Sequence, residues 1–224
     1  MMKKDLRTER EFHRREENKK SILKVAEKIF AQKGYSLATM DEIAEETQFS
    51  KATLYQYFKN KSEMFFEIIY KTFEEVLQKI QKVQKAEMSA TEKLKKGIYC
   101  IGSHYHTKKN ISRIFIMEKA LMKKLLYPDS KQQNTPSSSH PPVPKRFKSA
   151  LEDIFDVMCE IIREGVTAGE FRKVDPRQAS VILGAMIRGY HFRGPVPDGE
   201  LSVQESTDLL YDFFLHGIKK DRNE

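Results

Sequence analysis

Several features that define common protein classes are scarce in this sequence. Cysteine occurs only twice in 224 residues, at Cys100 and Cys159, too far apart to form a Cys-x-x-Cys pair. We therefore expect two reduced thiols in a cytoplasmic protein. No apolar run reaches the roughly 18 residues that a membrane-spanning helix needs, and the charged start of the chain lacks the apolar stretch of a secretory signal. The sequence thus predicts no association with a membrane.

Motifs of common catalytic and metal sites are also missing. The chain has no phosphate-binding glycine loop, no Gly-x-Ser-x-Gly and no His-Glu-x-x-His. His104 and His106 are two residues apart, so on a helix they face different directions, and no third ligand motif lies nearby. We therefore expect no catalytic residues, no cofactor and no metal site.

Charge is abundant and weighted toward the positive sign. Lys and Arg outnumber Asp and Glu by 40 to 32, which gives a net charge of +8. Such an excess favours polyanionic partners such as nucleic acid, but a solvated basic surface has the same composition. Composition therefore permits nucleic-acid binding without establishing it.

Apolar residues recur at helical spacing along most of the chain, and alternating strand patterns of useful length are absent. We predict an all-α protein of about nine or ten helices. Residues 1–17 are highly charged and form either a solvated helical extension or a mobile basic arm. Residues 127–144 hold five of the eight prolines and four serines, which predicts a mobile loop between two helical blocks.

Outside the segment from Thr39 to Phe58, the periodicity places helices from about Asn18 to Lys33, Lys61 to Gln84, Thr91 to Tyr105, Ile111 to Leu126, Arg146 to Val166, Pro176 to His191 and Gln204 to Ile218. Gly34 is placed to end the first of these helices. Gly165 and Gly169 are placed to supply left-handed turns after the helix that starts at Arg146.

The segment from Thr39 to Phe58 predicts two short helices joined by a tight turn. Thr39 and Glu42 have the spacing of a capping box, and Ser50 can cap a second helix that runs to Tyr57. Leu54 and Phe58 are four residues apart and face inward. The outer face of the second helix keeps hydrogen-bonding groups suited to phosphates and base edges: Lys51, Thr53, Tyr55 and Tyr57. This pattern is typical of a helix-turn-helix unit that reads DNA.

Residues 29–65, IFAQKGYSLATMDEIAEETQFSKATLYQYFKNKSEMF, resemble the N-terminal domain of the TetR/AcrR family of bacterial transcriptional regulators. The match is long and contiguous, with two departures. Thr47-Gln48-Phe49 stands in the turn where the family usually has Ala-Gly-Val. Ala52 stands in the second helix where the family often has glycine, which bears on how closely the backbone approaches a base.

The resemblance implies roles for individual residues of the helix-turn-helix. Contacts with DNA phosphates are implied for Thr39, Ser50, Tyr57 and Lys61. Contacts near the bases are implied for Lys51, Ala52, Thr53 and Tyr55. The domain organisation that follows is an extension at 1–17, a three-helix DNA-binding domain with the helix-turn-helix at 18–62, and a larger helical ligand-binding and dimerisation domain at 63–224.

The resemblance also implies a function: a cytoplasmic repressor that binds a palindromic operator in double-stranded DNA as a homodimer and is released by a small-molecule effector. The dimer helices are best matched by Arg146 to Val166 and Gln204 to Ile218. An apolar or amphipathic effector would suit the soft, aromatic and imidazole side chains of the second domain. The candidates are Tyr99, Cys100, Ser103, His104, Phe115, Met117, Met122, Met158 and His191. The alternative is a helical ligand sensor or protein-interaction module that does not act through DNA.

Overall fold

The structure is a computed structural model that describes residues 2–118, 144–191 and 201–218. Its regular elements are all helices: α1 (Met2–Leu37), α2 (Met40–Thr47), α3 (Lys51–Tyr57), α4 (Lys61–Gln84), α5 (Ala90–Thr107), α6 (Lys109–Met117), α7 (Lys145–Thr167), α8 (Pro176–His191) and α9 (Val203–Ile218). The all-α prediction is confirmed, and these ranges contain no β-strand. None of the described helices is long and apolar enough to cross a membrane.

Most helix limits agree with the sequence periodicity, and α1 is the main difference. It begins at Met2 instead of Asn18, so the charged extension is helical. Gly34 interrupts this helix as expected, with φ +78° and ψ 167°. The helix predicted at 111–126 starts at Lys109 and is helical through Met117. Residues 119–126 of that prediction lie outside the described part of the chain. The same is true of the predicted loop at 127–144, except for Pro144.

The chain divides into two compact units, and the division falls inside α4. The first unit comprises residues 2–69 with 117–118, and the second comprises 70–116, 144–191 and 201–218 among the described residues. In the first unit, α1 and the start of α4 meet through aromatic rings, with the Phe30 and Phe65 centroids 5.3 Å apart. Ile43 of α2 and Leu54 of α3 are fully buried in this unit. Each such side chain contributes about 1.5–3 kcal/mol through burial, so the core fixes the inner faces of α2 and α3.

The second unit has a core formed by apolar stripes on α4, α5, α7, α8 and α9. Leu94, Ile98, Ile161 and Leu183 are among its fully buried members. Lys93 is also buried, and its ammonium lies 2.7 Å from the Glu164 carboxylate, which joins α5 to α7. A charge in this position is tolerated because it is paired.

Two glycines near the end of α7 have different roles, which corrects one expectation. Gly169 has φ +74° and makes the left-handed turn predicted for it. Gly165 lies inside the helix without a positive φ, and a Cβ atom there would come within 2.2 Å of the Phe171 ring. Gly165 therefore provides space for Phe171 and does not make a turn.

Candidate nucleic-acid interface

The start of α2 is closed by the predicted capping box. Thr39 Oγ1 accepts a hydrogen bond from the Glu42 N–H at 3.2 Å, and Glu42 Oε2 accepts one from the Thr39 N–H at 3.1 Å. Glu42 also pairs with the Lys33 ammonium, and this bond is the main cause that lowers the pKa of the Glu42 carboxyl. The Thr39 side chain is therefore fixed at an exposed helix N-terminus, a position that favours anions.

The turn between α2 and α3 shows how the chain accommodates its unusual sequence. Gln48 adopts a left-handed conformation, with φ +58° and ψ +22°, and its N–H bonds to carbonyls of the preceding turn. This conformation costs a non-glycine residue roughly 1–2 kcal/mol. The next residue, Phe49, is half-buried beside it, and its N–H donates to the Ala44 carbonyl at 3.1 Å. The turn keeps its geometry although glutamine stands where the resembled family usually has glycine.

The second short helix, α3, is capped by Ser50 as predicted. Ser50 Oγ accepts the Thr53 N–H at 3.0 Å and lies 2.8 Å from the Thr53 hydroxyl. Lys51, Ala52 and Tyr55 are exposed, and Thr53 is half-buried. The Lys51 ammonium lies 2.7 Å from the Asp41 carboxylate, and this hydrogen bond raises the pKa of Lys51. The face predicted to lie near the bases is thus presented to solvent, while Leu54 on the opposite face is buried.

Tyr57, at the end of α3, is held by the first helix. Its hydroxyl accepts a hydrogen bond from the Asn18 amide at 3.0 Å, and the Arg15 guanidinium lies 5.4 Å from its ring centroid. Arg15 also donates to the Gln56 carbonyl at 3.2 Å. That carbonyl is one of the helix-terminal acceptors without an intrahelical partner. These contacts fix the C-terminal end of α3 against α1, a pairing that the local sequence does not signal.

The Lys61 ammonium, for which the family resemblance implies a phosphate contact, is hydrogen-bonded to the backbone of its own chain. It donates to the carbonyls of Tyr35, Ser36 and Ala38, at 2.6, 3.3 and 2.7 Å. It also lies 4.5 Å from the Tyr35 ring centroid. An ammonium has three donors, so all of them are used within the connection between α1 and α2. Burial lowers the pKa of Lys61.

Glu118 acts on the same connection and was not singled out from the sequence. This carboxylate is only 6% exposed, and its Oε1 accepts the Tyr35 N–H at 2.6 Å. A Cβ atom added at Gly34 would lie only 3.0 Å from this Oε1, so the carboxylate packs closely against the glycine. The two hydrogen-bonded residues are 83 positions apart in sequence, so local periodicity could not reveal the contact.

The predicted effector residues whose side chains the structure describes fall into three groups by exposure. Met158 and His104 are buried in the second unit, where burial lowers the pKa of His104 to about 4. Cys100, Ser103 and His191 are half-buried, and His191 stacks on Tyr105 with ring centroids 4.9 Å apart. Tyr99 and Met117 are exposed. Met122 and the Phe115 side chain lie outside the described residues.

The helices proposed for dimerisation differ in their outer faces. The exposed described side chains of α7 include Ser149, Glu152, Asp153, Asp156, Glu160, Arg163 and Thr167, all of them polar. By contrast, α8 exposes Val181 and Ile182, the latter at 56%, and α9 exposes Leu209 and Phe213, the latter at 69%. The exposed apolar surface of the second unit therefore includes α8 and α9 but not the described side chains of α7.

Comparisons with known proteins agree with this reading of α1 to α4. The family model for "Bacterial regulatory proteins, tetR family" matches residues 22–68. The HTH-type transcriptional regulator YhgD of Bacillus subtilis (strain 168) is 27% identical over 167 residues, which cover 75% of this chain and 78% of YhgD.

Solved structures share the fold over most of the chain. The regulator FadR from Bacillus subtilis, in complex with stearoyl-CoA, has a TM-score of 0.71 and 19% identity and covers 88% of this chain and 97% of its own. AibR, in complex with isovaleryl coenzyme A and operator DNA, has a TM-score of 0.67 and 18% identity, with coverage of 88% and 97%. At these identities the likeness concerns the fold. The family match and the helix-turn-helix geometry identify residues 22–68 as the DNA-binding domain of a transcriptional regulator of the tetR family.

Proposed function

We propose that this protein is a homodimeric repressor that binds an inverted-repeat operator and releases it when an amphipathic small molecule binds the second unit. One observation carries the DNA-binding part of the proposal. The helix α3 buries Leu54 completely and presents Lys51, Ala52 and Tyr55 to solvent. A short helix with a fixed inner face and a polar outer face suits insertion into the major groove.

Roles within the interface follow from which atoms are available. Thr39 and Ser50 lie at helix N-termini, where N–H groups and the helix dipole favour phosphate oxygens. Lys51 would exchange Asp41 for DNA with little loss of free energy, because an exposed ion pair is worth at most about 1 kcal/mol. Ala52, Thr53 and Tyr55 would approach base edges, and Tyr57 would contact a phosphate while Asn18 holds its hydroxyl. These residues together would supply both affinity and sequence discrimination.

For Lys61 we propose a positioning role in place of the phosphate contact that the family resemblance implies. Its three hydrogen bonds to the carbonyls of Tyr35, Ser36 and Ala38 hold the connection that leads directly to the Thr39 cap. Moving the ammonium to a phosphate would break these bonds and leave partly buried carbonyls without their donor. Lys61 would therefore affect DNA binding indirectly, by holding α2 in the position that the DNA contacts require.

We propose that α8 and α9 form the dimer interface. Apolar side chains exposed on two adjacent helices can form the buried centre of a stable protein interface. The exposed face of α7 is instead rich in carboxylates, which would repel the same carboxylates of a second copy across a two-fold axis. This replaces the segment from Arg146 to Val166, taken from the sequence, with Pro176–His191. The segment from Gln204 to Ile218 is retained within α9.

The proposed effector is an acyl thioester such as an acyl-CoA. FadR and AibR, which share this fold, were determined with stearoyl-CoA and isovaleryl coenzyme A. The second unit offers an apolar core, and His104, which is buried in the same unit, is neutral at physiological pH because burial lowers its pKa to about 4. The N–H of a neutral imidazole can donate a hydrogen bond to the carbonyl oxygen of a thioester without requiring a counter-charge. Effector-induced displacement of α6 would reach the first unit through the covalent link from Ile116 to Met117.

DNA binding can be tested without knowledge of the operator. We expect the full-length protein to enrich an inverted repeat from a pool of random duplexes at low salt, with half-sites about 34–36 Å apart. Thr53→Ala and Tyr55→Ala should relax base preference, by roughly 1–3 kcal/mol for each hydrogen bond to a base that is removed. Lys96→Gln, an exposed cation on α5, is the control and should select the same sequence. Absence of any enriched duplex would contradict the proposal and favour a sensor that does not act through DNA.

The dimer interface can be tested by placing like charges in it. Phe213→Glu and Val181→Glu should each shift the protein from dimer to monomer in sedimentation velocity, because burying an unpaired carboxylate in an apolar interface is unfavourable. Glu152→Arg on α7 is the matched control and should remain dimeric. Dissociation by the α7 variant alone would show that α7, not α8, forms the interface.

Effector release is tested by titrating acyl-CoAs with chains of increasing length into the protein–DNA complex. We expect at least one to reduce DNA affinity by roughly 5–150-fold, the usual range of allosteric coupling. His104→Phe, which keeps an aromatic ring but cannot hydrogen-bond, should weaken that response while leaving DNA affinity without effector unchanged. A panel in which free CoA and every acyl-CoA leave the complex intact would overturn the acyl-thioester assignment.

A further inference from the structure

The N-terminal extension of α1 projects beyond the core that the rest of the helix helps to build. Here the extension means residues 2–17, whose backbone is helical throughout. Every side chain from Thr8 to Arg15 is exposed, including Phe12 at 63%, and the first buried side chain after them is Ile22. None of the side chains from Thr8 to Arg15 is therefore part of the buried core of the first unit. The extension is helical because an already nucleated helix is easily prolonged.

The extension has a fixed direction relative to α3. Arg15 donates to the Gln56 carbonyl at 3.2 Å, and Asn18 donates to the Tyr57 hydroxyl at 3.0 Å. One turn further on, the Lys19 ammonium lies 3.1 Å from the Glu67 carboxylate. These contacts place α1 against the C-terminal end of the helix proposed to read the bases. From that point the extension continues toward Met2 for about 20 Å, at 1.5 Å per residue.

The exposed part of the extension has a basic side. Arg10 and Arg14 are four residues apart and therefore lie on one face of the helix. Glu11 and Glu17, three residues before and three residues after Arg14, lie near this face, and Glu9 lies about 100° away from Arg10 around the axis. Within the described ranges neither arginine forms an ion pair. By contrast, four lysines of the same unit are each paired with a carboxylate: Lys19, Lys28, Lys33 and Lys51. An arginine without an internal partner keeps its charge available for an external anion.

The spacing of these arginines suits a nucleic-acid backbone. Four residues of helix advance about 6 Å, and phosphates two nucleotides apart on one DNA strand are separated by about 6.8 Å along the duplex axis. Combined with the anchor on Gln56 and Tyr57, this spacing leads us to propose that the N-terminal extension is a second DNA-contacting element. Arg10 and Arg14 bind phosphates that flank the base pairs read by α3. This inference rests on the proposed function, because it requires that α3 occupies the groove.

The test uses a double variant of the full-length protein, Arg10→Gln with Arg14→Gln, on the duplex enriched by the unaltered protein. Removing one phosphate contact lowers the slope of log affinity against log salt by about 0.9, so we expect a decrease of about 1.8 per subunit. Arg10→Lys with Arg14→Lys should restore most of the slope, because phosphate attraction requires mainly charge. In the glutamine variant, ethylation interference should disappear at phosphates outside the half-site core.

The matched control, Lys96→Gln with Lys173→Gln, removes two exposed charges from the second unit and should leave the slope unchanged. If the unaltered protein binds its duplex and the Arg10/Arg14 glutamine variant binds with the same affinity and slope, the extension does not contact DNA and the inference is overturned alone. Failure of the unaltered protein to bind any duplex would overturn the proposed function and this inference together. Equal helix content by circular dichroism excludes unfolding as the cause of a weaker affinity.

Discussion

A single ammonium group organises the connection on which the DNA-binding half depends. Lys61 donates to the carbonyls of Tyr35, Ser36 and Ala38, immediately before Thr39 caps α2. The Glu118 carboxylate accepts a hydrogen bond from the Tyr35 N–H. Gly34 breaks the regular geometry of α1 here, so these peptide groups lack the partners that a continuous helix would provide. The lysine and the glutamate supply those partners and thereby set where α2 and α3 lie.

This arrangement connects stability with function. The inner faces of α2 and α3 are fixed by Ile43 and Leu54, which are completely buried. Their N-terminal ends are fixed by capping bonds from Thr39 and Ser50. Because the packing and the caps hold α2 and α3, the exposed face of α3 can move mainly when the connection held by Lys61 changes its conformation. Because Glu118 follows α6 directly in the chain, a change in the second unit has a short covalent path to that connection.

Features governed by neighbouring residues could be predicted from the sequence. The capping box at Thr39, the cap at Ser50, the break at Gly34 and the buried pair Leu54 and Phe58 all depend on spacings of a few residues. The sequence alone does not decide whether residues 2–17 are helical, because both a solvated helix and a mobile arm can have such a highly charged composition.

Features that depend on distant residues could not be predicted. Glu118 meets Tyr35 across 83 positions. The phosphate contact expected of Lys61 was inferred from family resemblance. That resemblance gives no information about the three carbonyls that accept hydrogen bonds from its ammonium. Gly165 was expected to turn the chain, but it makes room for Phe171, a contact that only the packing of α7 reveals. The apolar stripe on α7 correctly predicted that one face of this helix is buried. The stripe does not show whether that face packs against the same chain or against a second copy in a dimer.

The salt dependence of DNA binding by Lys61→Gln tests the proposed role of this lysine most directly. If Lys61 positions α2, the variant should bind its duplex with lower affinity at every salt concentration but with the slope of the unaltered protein. If Lys61 contacts a phosphate, the slope should fall by about 0.9 per subunit. A fall in slope, with the exposed face of α3 unaltered, would contradict the positioning role of Lys61 in the α1–α2 connection.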